Sequence, residues 1–361
     1  VVPDVTVSAG GVQGFLRDAW YVAAWESELG EAPLAVRVLG EDIVLYRRAD
    51  GGAVALEDAC PHRKLPLSMG RVRGDHIECG YHGLTFDCSG ACVRVPGGGR
   101  IPTGARVRAY PLASRYGLLW IWMGDPAGAE PAGICEVDHW GDPAWGVNQG
   151  DSMTIACNQL FLTDNLLDPS HVAWVHPGSF GNAAAQDTPL QVDVREDRVV
   201  VSRWMRDVEA APFYAPHLGF AGRVDRKQHY EVRLPGHALA RAIFAPAGTG
   251  GDDGRVPAGT FLMDSWNFLT PVDASTTRYF WFQLRNVAPD DEALSRRFAE
   301  SVRAAFEEDR RVLEAVQRGM DAARTPPINL PIDSGPLRYR RLLAERVAAE
   351  RGRVSGADAG R

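Results

Sequence analysis

The stretch CPHRKLPLSMGRVRGDHIECGYH, residues 60–82, constrains the fold more than any other part of the chain. It opens on Cys60-Pro61-His62 and closes on Cys79-Gly80-Tyr81-His82, with sixteen residues between the two pairs. Each pair offers one thiolate and one imidazole from a tight loop containing Pro or Gly. A fold that uses both pairs must bring two loops side by side on a rigid scaffold. A single Cys-x-His is usually accidental, but two of them in neighbouring loops make a four-ligand metal site. Structural zinc sites with two cysteines and two histidines normally group like with like, one Cys-Cys pair and one His-His pair. Here each loop mixes the two.

A [2Fe-2S] cluster of the Rieske type calls for that mixture, because two cysteines hold one iron, two histidines hold the other, and each loop straddles both. The flanking sequence supplies a scaffold. From Arg37 to about Trp122, short β-type runs such as IVLYRR, VALEDAC and HIECGYHGLTFD alternate with turn residues, and Asp50-Gly51-Gly52 and Ser89-Gly90 are hairpin signals. The pattern indicates an all-β domain over residues 37–123. Cys88 and Cys92 follow too late to be ligands, and no spare cysteine stands beside either pair, so no disulfide is expected between the loops. Those two are expected as small buried residues or free thiols. Six cysteines in all are too few for a disulfide scaffold.

Such a cluster passes one electron at a time and makes no bond to substrate, so an enzyme built on it needs a second centre. Residues 164–180, DNLLDPSHVAWVHPGSF, place His171 and His176 five positions apart. At ~100° per residue the two diverge by roughly 140° on a regular helix. They meet on one metal only if the helix ends or distorts between them, and Pro177-Gly178 supplies a stop. Two histidines and a carboxylate leave open positions on Fe(II). In LSRRFAESVRAAFEEDRRVLEAVQRGM, residues 294–320, the apolar stripe is Phe298, Val302, Ala305, Phe306, Leu313 and Val316. Asp309 falls within roughly 60° of each of them. Asp309 therefore points inward, where a carboxylate is costly unless paired or metal-bound. Glu307, Glu308, Arg310 and Arg311 fall on the solvated or rim surface. The competing expectation for Asp309 is a buried ion pair with an arginine. Asp168, near the face of His171, either orients that imidazole through its free ring nitrogen or caps a helix through Asp168-Pro169-Ser170.

Residues 124–134, GDPAGAEPAGI, have the composition of a linker. Residues 135–361 are expected as a second domain, helical around 157–176, strand-like at 190–205, 228–247, 260–270 and 277–287, with a long helix from about 290 to 319. PLRYRRLLAERVAAE is expected as a surface helix, GGG (97–99) and GGDDG (250–254) as loop tips, and residues 1–36 as an N-terminal segment packing on the second domain. A length of 361 residues suits two ordinary domains. The net charge of −7, without a Lys/Arg run interleaved with aromatics, argues against nucleic acid as a partner. No stretch approaches the ~18 apolar residues of a membrane span, and the N-terminal residues carry no signal-peptide or anchor pattern. The cytoplasm is the expected compartment.

With both constellations in hand, the chain resembles the oxygenase components of Rieske non-haem iron oxygenases, in particular the vanillate O-demethylase, toluenesulfonate methyl-monooxygenase and dicamba O-demethylase group. FLRDAWYVAAW near the start, the 60–82 segment, NLLDPSHVAWVHPGSFG, TRYFWFQLRN and AAFEEDRRVLEA carry the resemblance over nearly the whole length. It implies an α+β chain, with an N-terminal all-β Rieske domain and a C-terminal helix-grip domain. In the latter a curved antiparallel sheet surrounds an apolar pocket and a long helix packs across it. It implies Cys60, His62, Cys79 and His82 as ligands of the cluster, and His171, His176 and Asp309 as ligands of a mononuclear Fe(II). Asp168 would be the carboxylate that receives electrons from the cluster of the next subunit in a head-to-tail homotrimer. O2, a separate NAD(P)H-dependent flavin and iron–sulfur reductase or ferredoxin, and a small aromatic substrate follow from the same resemblance. That substrate is expected to be an anionic methoxy- or methyl-arene, demethylated or hydroxylated. Asn267 and Arg241 sit where the family lines its cavity, with Arg241 expected to meet a carboxylate or sulfonate.

Two other functions compete. A Rieske electron-transfer or redox-sensing protein with a ligand-binding second domain would lack the second iron. A zinc hydrolase built on His171, His176 and Asp309 would leave the 60–82 motif without a use.

Overall fold

The computed structural model describes residues 14–148, 150–250, 257 and 259–358; residues 1–13 and the tip of the GGDDG segment lie outside them. The chain divides into two compact units, one of residues 15–134 with 270–274, the other beginning at Cys135. Residues 15–36 belong to the first unit, not to the second as expected from sequence. Trp20–Trp25 pairs antiparallel with Leu118–Trp122, and Leu34–Val38 with Glu41–Arg47. Burial gives the reason: WYVAAW and LLWIW are buried at every position, and strands covered on both faces must satisfy their backbone groups in a sheet.

In the first unit the strand Glu41–Arg47 separates two apolar cores. Ile43 and Leu45 pack with Tyr21, Leu119 and Ile121, while Val44 and Tyr46 pack with Leu67, Ile77, Phe86 and the two cysteines Cys60 and Cys79. Successive side chains of a strand point to opposite faces, so the unbroken run Ile43-Val44-Leu45-Tyr46 is a wall buried on both sides. The expected hairpins close through Gly51 at φ +87° and Gly90 at φ +79°, conformations that favour glycine. A Cβ on Gly90 would also lie 2.1 Å from the Val107 carbonyl oxygen.

The described strands of the second unit form one eight-stranded sheet. Gly146–Asn148 and Ser152–Ile155 both pair with Thr276–Arg285, which is followed in order by Phe261–Asp273, His237–Pro246, Val224–Arg233, Arg198–Val208 and Gln191–Val194. Four helices accompany it: α1 (Gln159–Leu166), α2 (Val172–Val175), α3 (Glu292–Ala322) and α4 (Ser334–Asp358). On α3 the buried stripe is Leu294, Phe298, Val302, Ala305, Asp309, Leu313 and Gln317. It leaves the expected stripe at its end, where Val316 is 40% exposed. Gln317 turns inward instead, because its Oε1 accepts the Asn158 N–H at 2.8 Å at the start of α1. Helix α4 is more than a surface helix: Tyr339, Leu343 and Val347 are buried along one face, and Arg340 reaches Asp164 of α1.

Strand register makes the cavity between the sheet and α3. Gln228, Ala242 and Met263 stand in one row, and Tyr230, Ala240 and Ser265 in the next. The two alanines of the middle strand leave space where larger side chains would fill it. Val302, Ala305, Phe306 and Asp309 of α3, at helical spacing, line the same cavity.

Glu231, on the opposite pleat of Val224–Arg233, is buried and held by Arg198 (2.9 Å), His229 (3.6 Å) and Arg233. Burial pushes its carboxyl up, but the His229 imidazole and the two arginines beside it outweigh that and bring the pKa from 4.5 to about 2. A depressed carboxyl pKa stabilises the fold above the unfolded value and loses that contribution as pH falls through the folded one. Glu231→Gln is therefore expected to cost about 2–3 kcal/mol at neutral pH. The gap in urea-unfolding free energy between variant and wild type should close as pH falls from 4.5 towards about 2; a gap unchanged over that window would show that charge is not what holds Glu231.

Candidate active site

Cys60 and Cys79 open two loops of one geometry. The Cys60 N–H donates to the Leu65 carbonyl (2.9 Å) and the Lys64 N–H to that of Cys60 (2.8 Å). In the second loop the Cys79 N–H donates to the Leu84 carbonyl (2.8 Å) and the Gly83 N–H to that of Cys79 (3.1 Å). The fifth residue of each loop is left-handed, Lys64 at φ +58° and Gly83 at φ +70°. Glycine adopts that conformation freely, whereas lysine does so at a cost of about 1–2 kcal/mol. Close approach also depends on glycine, since a Cβ on Gly70 would lie 2.1 Å from the Glu78 carbonyl oxygen and one on Gly80 2.7 Å from that of Met69. Both cysteines are buried and both histidines exposed. The Cys60 thiol is within hydrogen-bonding reach of Cys79 and of the His62 and Arg63 backbone N–H groups. The His62 and His82 rings lie 4.6 Å apart. Two thiols inside and two imidazoles outside, on matching loops, fit a [2Fe-2S] cluster of mixed ligation. Cys88 and Cys92 are free thiols, Cys92 buried and Cys88 partly so.

In the second unit the helix breaks where the histidine spacing requires it. Helix α2 is a single turn with His171 at its start and His176 at its end, where the backbone leaves helical geometry at φ −120°, ψ 44°. The chain then folds back so that the Gly181 N–H donates to the His176 carbonyl at 2.9 Å. A Cβ on Gly181 would lie 2.7 Å from the Val172 and 2.8 Å from the His176 carbonyl oxygen, so only glycine closes this turn without displacement.

One oxygen of Asp309 is the meeting point. Its Oδ1 lies 3.2 Å from His176 Nε2 and 3.6 Å from His171 Nε2, and it accepts a 3.1 Å hydrogen bond from Asn165 Nδ2. One donor atom from each of His171, His176 and Asp309 lies within 4.8 Å of the other two. Asp309 is 6% exposed. Among the described residues it has no arginine partner, so it does not form the buried Arg–Asp pair that competes in the sequence. The outer ring nitrogens are occupied: His176 Nδ1 meets Glu308 Oε2 at 2.6 Å and His171 Nδ1 meets the main-chain carbonyl of Asp168. Imidazoles that bind metal are typically fixed in this way, one nitrogen anchored and the other directed inward. Burial lowers the His176 pKa, but hydrogen bonds and charge from Asp309 and Glu308 outweigh it and raise it overall.

Two sequence expectations change here. Glu308 is 46% exposed, as its helix position requires, yet its carboxylate turns back onto His176. Asp168 orients His171 through its carbonyl, while its carboxylate accepts the Ser170 N–H at 2.8 Å and holds the local turn. No spacing in the sequence marks Asn165, whose role depends on its contact with Asp309 across the fold.

The cavity places the two candidate substrate residues differently. Asn267 lines it and is anchored within the wall, accepting from the Tyr279 hydroxyl (2.8 Å) and donating to the Ser265 carbonyl (2.9 Å). Burial and the charge of Asp309 hold Tyr279 well above the usual phenol range, so it remains a donor. Arg241 also borders the cavity, but its guanidinium is held by two carboxylates. It grips Asp264 through two 2.6 Å hydrogen bonds and Asp138 through one at 3.0 Å, on the pleat opposite Ala240 and Ala242. A second arginine, Arg226, lines the cavity from the neighbouring strand, on the same face as Gln228 and Tyr230.

Comparison with known proteins covers both units. The Rieske [2Fe-2S] domain profile matches residues 19–111, and that of the vanillate O-demethylase oxygenase C-terminal domain matches residues 155–349. The chain is 36% identical over 343 residues to the toluene-4-sulfonate monooxygenase system iron-sulfur subunit of Comamonas testosteroni, covering 94% of this chain and 99% of that one. It is 36% identical over 344 residues to the vanillate O-demethylase oxygenase subunit of a Pseudomonas species, covering 93% and 96%. Dicamba monooxygenase bound to 3,6-dichlorosalicylic acid superposes with a TM-score of 0.86 at 32% identity, over 93% of this chain and 99% of that one. The same enzyme with non-haem iron and dicamba gives 0.78 at 31%, over 94% and 99%. The chain belongs to the Rieske non-haem iron oxygenases of the vanillate O-demethylase group, and is an oxygenase component with a Rieske [2Fe-2S] cluster and a mononuclear iron.

Proposed function

We propose that Cys60, His62, Cys79 and His82 hold the cluster, and that His171, His176 and Asp309 hold the mononuclear iron. With electrons from a separate NAD(P)H-dependent reductase, the chain then hydroxylates or O-demethylates a small aromatic substrate. The observation that carries this reading is that both histidines and Asp309 line the same cavity as the apolar sheet floor of Ala240, Ala242 and Met263. When bound, the iron supplies reductive activation of O2 and the cluster supplies electrons singly. Overall, NAD(P)H gives two electrons, one oxygen atom enters a substrate C–H bond and the other leaves as water. A methoxy substrate then yields a hemiacetal that collapses to a phenol and formaldehyde, whereas an aryl methyl yields an alcohol.

The residues of the chain divide the remaining work. Phe306 and Met263 give the cavity an apolar lining beside the three ligands, and Asn165 steadies the Asp309 carboxylate by donating to it. Glu308 and the Asp168 carbonyl fix the two rings. A head-to-tail homotrimer completes the reading, with electrons arriving at Asp168 from the neighbouring subunit. Asp168 would then set the His171 ring and receive electrons at the same turn. Exposure of His62, His82 and Tyr81 at the tips of the cluster loops supports docking there.

Purified protein should be brown, with a Rieske-type EPR signal on reduction and about three irons per chain. His171→Ala should keep that signal and two irons while losing substrate-dependent O2 uptake; a wild type with only two irons would sink the iron assignment. Cys60→Ala should lose the cluster. Glu308→Ala should weaken iron binding by about 10–100-fold with the cluster signal intact, read by Fe(II) titration of the apo-iron protein; an unchanged affinity would show that Glu308 does not support His176.

A further inference from the structure

Tyr230 stands between Val201 and Ala240 in register and lines the cavity that Asp309 and the two histidines share. It is only partly buried, with the small Ala240 beside it. Two residues set the direction of its hydroxyl. Arg203, 3% exposed, donates from Nε to Gln228 Oε1 at 2.7 Å and is itself held by the carbonyls of Pro169 (2.8 Å) and Ala185. A guanidinium has donors only, so the Gln228 amide turns its oxygen to Arg203 and its NH2 group away. That NH2 group meets the Tyr230 hydroxyl, Nε2 to Oη at 3.4 Å. An amide NH2 also only donates, so the phenol oxygen accepts there and its own hydrogen points elsewhere. Among the described residues no acceptor takes that hydrogen. Tyr279, the buried phenol of the neighbouring wall, differs: it directs its hydrogen to Asn267. Burial outweighs the charges of Arg226 and Arg203 nearby and holds the Tyr230 phenol above its usual range, so the hydrogen is present at neutral pH.

We infer that Tyr230 is a specificity-determining residue of the substrate cavity, its hydroxyl donating to an uncharged oxygen, ether or carbonyl, borne by the aromatic substrate. Gln228 and Arg203 are positioning residues. They act through the phenol, by leaving its hydrogen no acceptor but the ligand. The inference rests on the oxygenase reading only in taking this cavity for the substrate site. A phenol is a neutral donor with one hydrogen, so it satisfies one lone pair and compensates no charge. Where a donor has no acceptor in the protein, a ligand that supplies an oxygen is bound more tightly than one of the same shape that does not.

The test compares two pairs of nearly isosteric arenes, methoxybenzene with ethylbenzene and acetophenone with 2-phenylpropene, in which carbon replaces the oxygen. Their affinities for the anaerobic full chain, loaded with cluster and iron, are read by headspace partitioning. Because the hydrocarbons are more apolar, the quantity that reports the hydroxyl is the oxygen-to-carbon affinity ratio within a pair, compared between proteins. Tyr230→Phe is expected to lower that ratio by about 3- to 10-fold in at least one pair, and the pair affected identifies ether or carbonyl as the preferred group. Gln228→Glu keeps the contact with Arg203 but gives the phenol hydrogen an acceptor inside the protein. It should lower the ratio by a similar factor although the Tyr230 hydroxyl is still there. A ratio lowered by Tyr230→Phe alone would remove Gln228 and Arg203 from the proposal. A hydroxyl that only packs or braces the sheet would change both members of a pair equally, and an unchanged ratio in both pairs overturns the inference. So does a wild type that binds none of the four arenes. Should Gln228→Glu fail to fold, Tyr230→Phe, which removes one oxygen atom, decides the matter. Substrate-dependent O2 uptake with a surrogate reductase keeps the two levels apart. Uptake on any arene with an unchanged ratio sinks Tyr230 and leaves the oxygenase intact, whereas a ratio that falls without uptake on any arene does the reverse.

Discussion

The second unit is arranged around a carboxylate that should not be where it is. Asp309 stands in the buried stripe of α3, where an ionised side chain is unfavourable without partners. Its partners come from two places in the chain: Asn165 at the end of α1, and the two histidines that flank the single turn α2. Those contacts explain why the helix must break after α1 and why Gly181 must fold back under His176. They also explain why the outer nitrogens of both rings are anchored, one by a carbonyl and one by Glu308. Remove the carboxylate and the break, the return turn and the anchors lose their common purpose.

The first unit solves a related problem by opposite means. Its sulfur donors belong to an apolar core, alongside Leu67, Ile77 and Phe86, and its nitrogen donors stand at the surface. Here the donors are placed by backbone hydrogen bonds, the same pair in each loop, rather than by side-chain contacts. A strand buried on both faces backs the loops, so the donor positions inherit the stiffness of the sheet.

What could be read in the sequence was whatever depends on spacing. The Cys-x-His and Cys-x2-His loops, the five-residue histidine interval and the inward position of Asp309 are all local patterns, and the structure brings each set together as its spacing requires. What could not be read depends on reach or on pairing across strands. Glu308 lies on the rim by helical angle, but a glutamate side chain is long enough to return to His176. Arg241 and Arg226 look equivalent as arginines in strands. Only the register, which sets Arg241 against Asp264 and Arg226 against Phe244, shows that one is neutralised and the other is not. Nor does a wholly apolar strand such as Trp20–Trp25 carry a mark of which sheet it joins.

The ladder of Ala240 and Ala242 between Gln228 and Met263 has a consequence for how such an enzyme can diversify. The cavity floor is drawn from three adjacent strands, whereas the candidate iron ligands come from α2 and α3. Enlarging or shrinking a floor residue reshapes the bound arene's seat without passing through a ligand or its anchor. Substrate range and oxygen chemistry thus occupy separable parts of the sequence, so a lineage can explore new aromatic compounds by repainting one face of a sheet while its metal centre stays as it was.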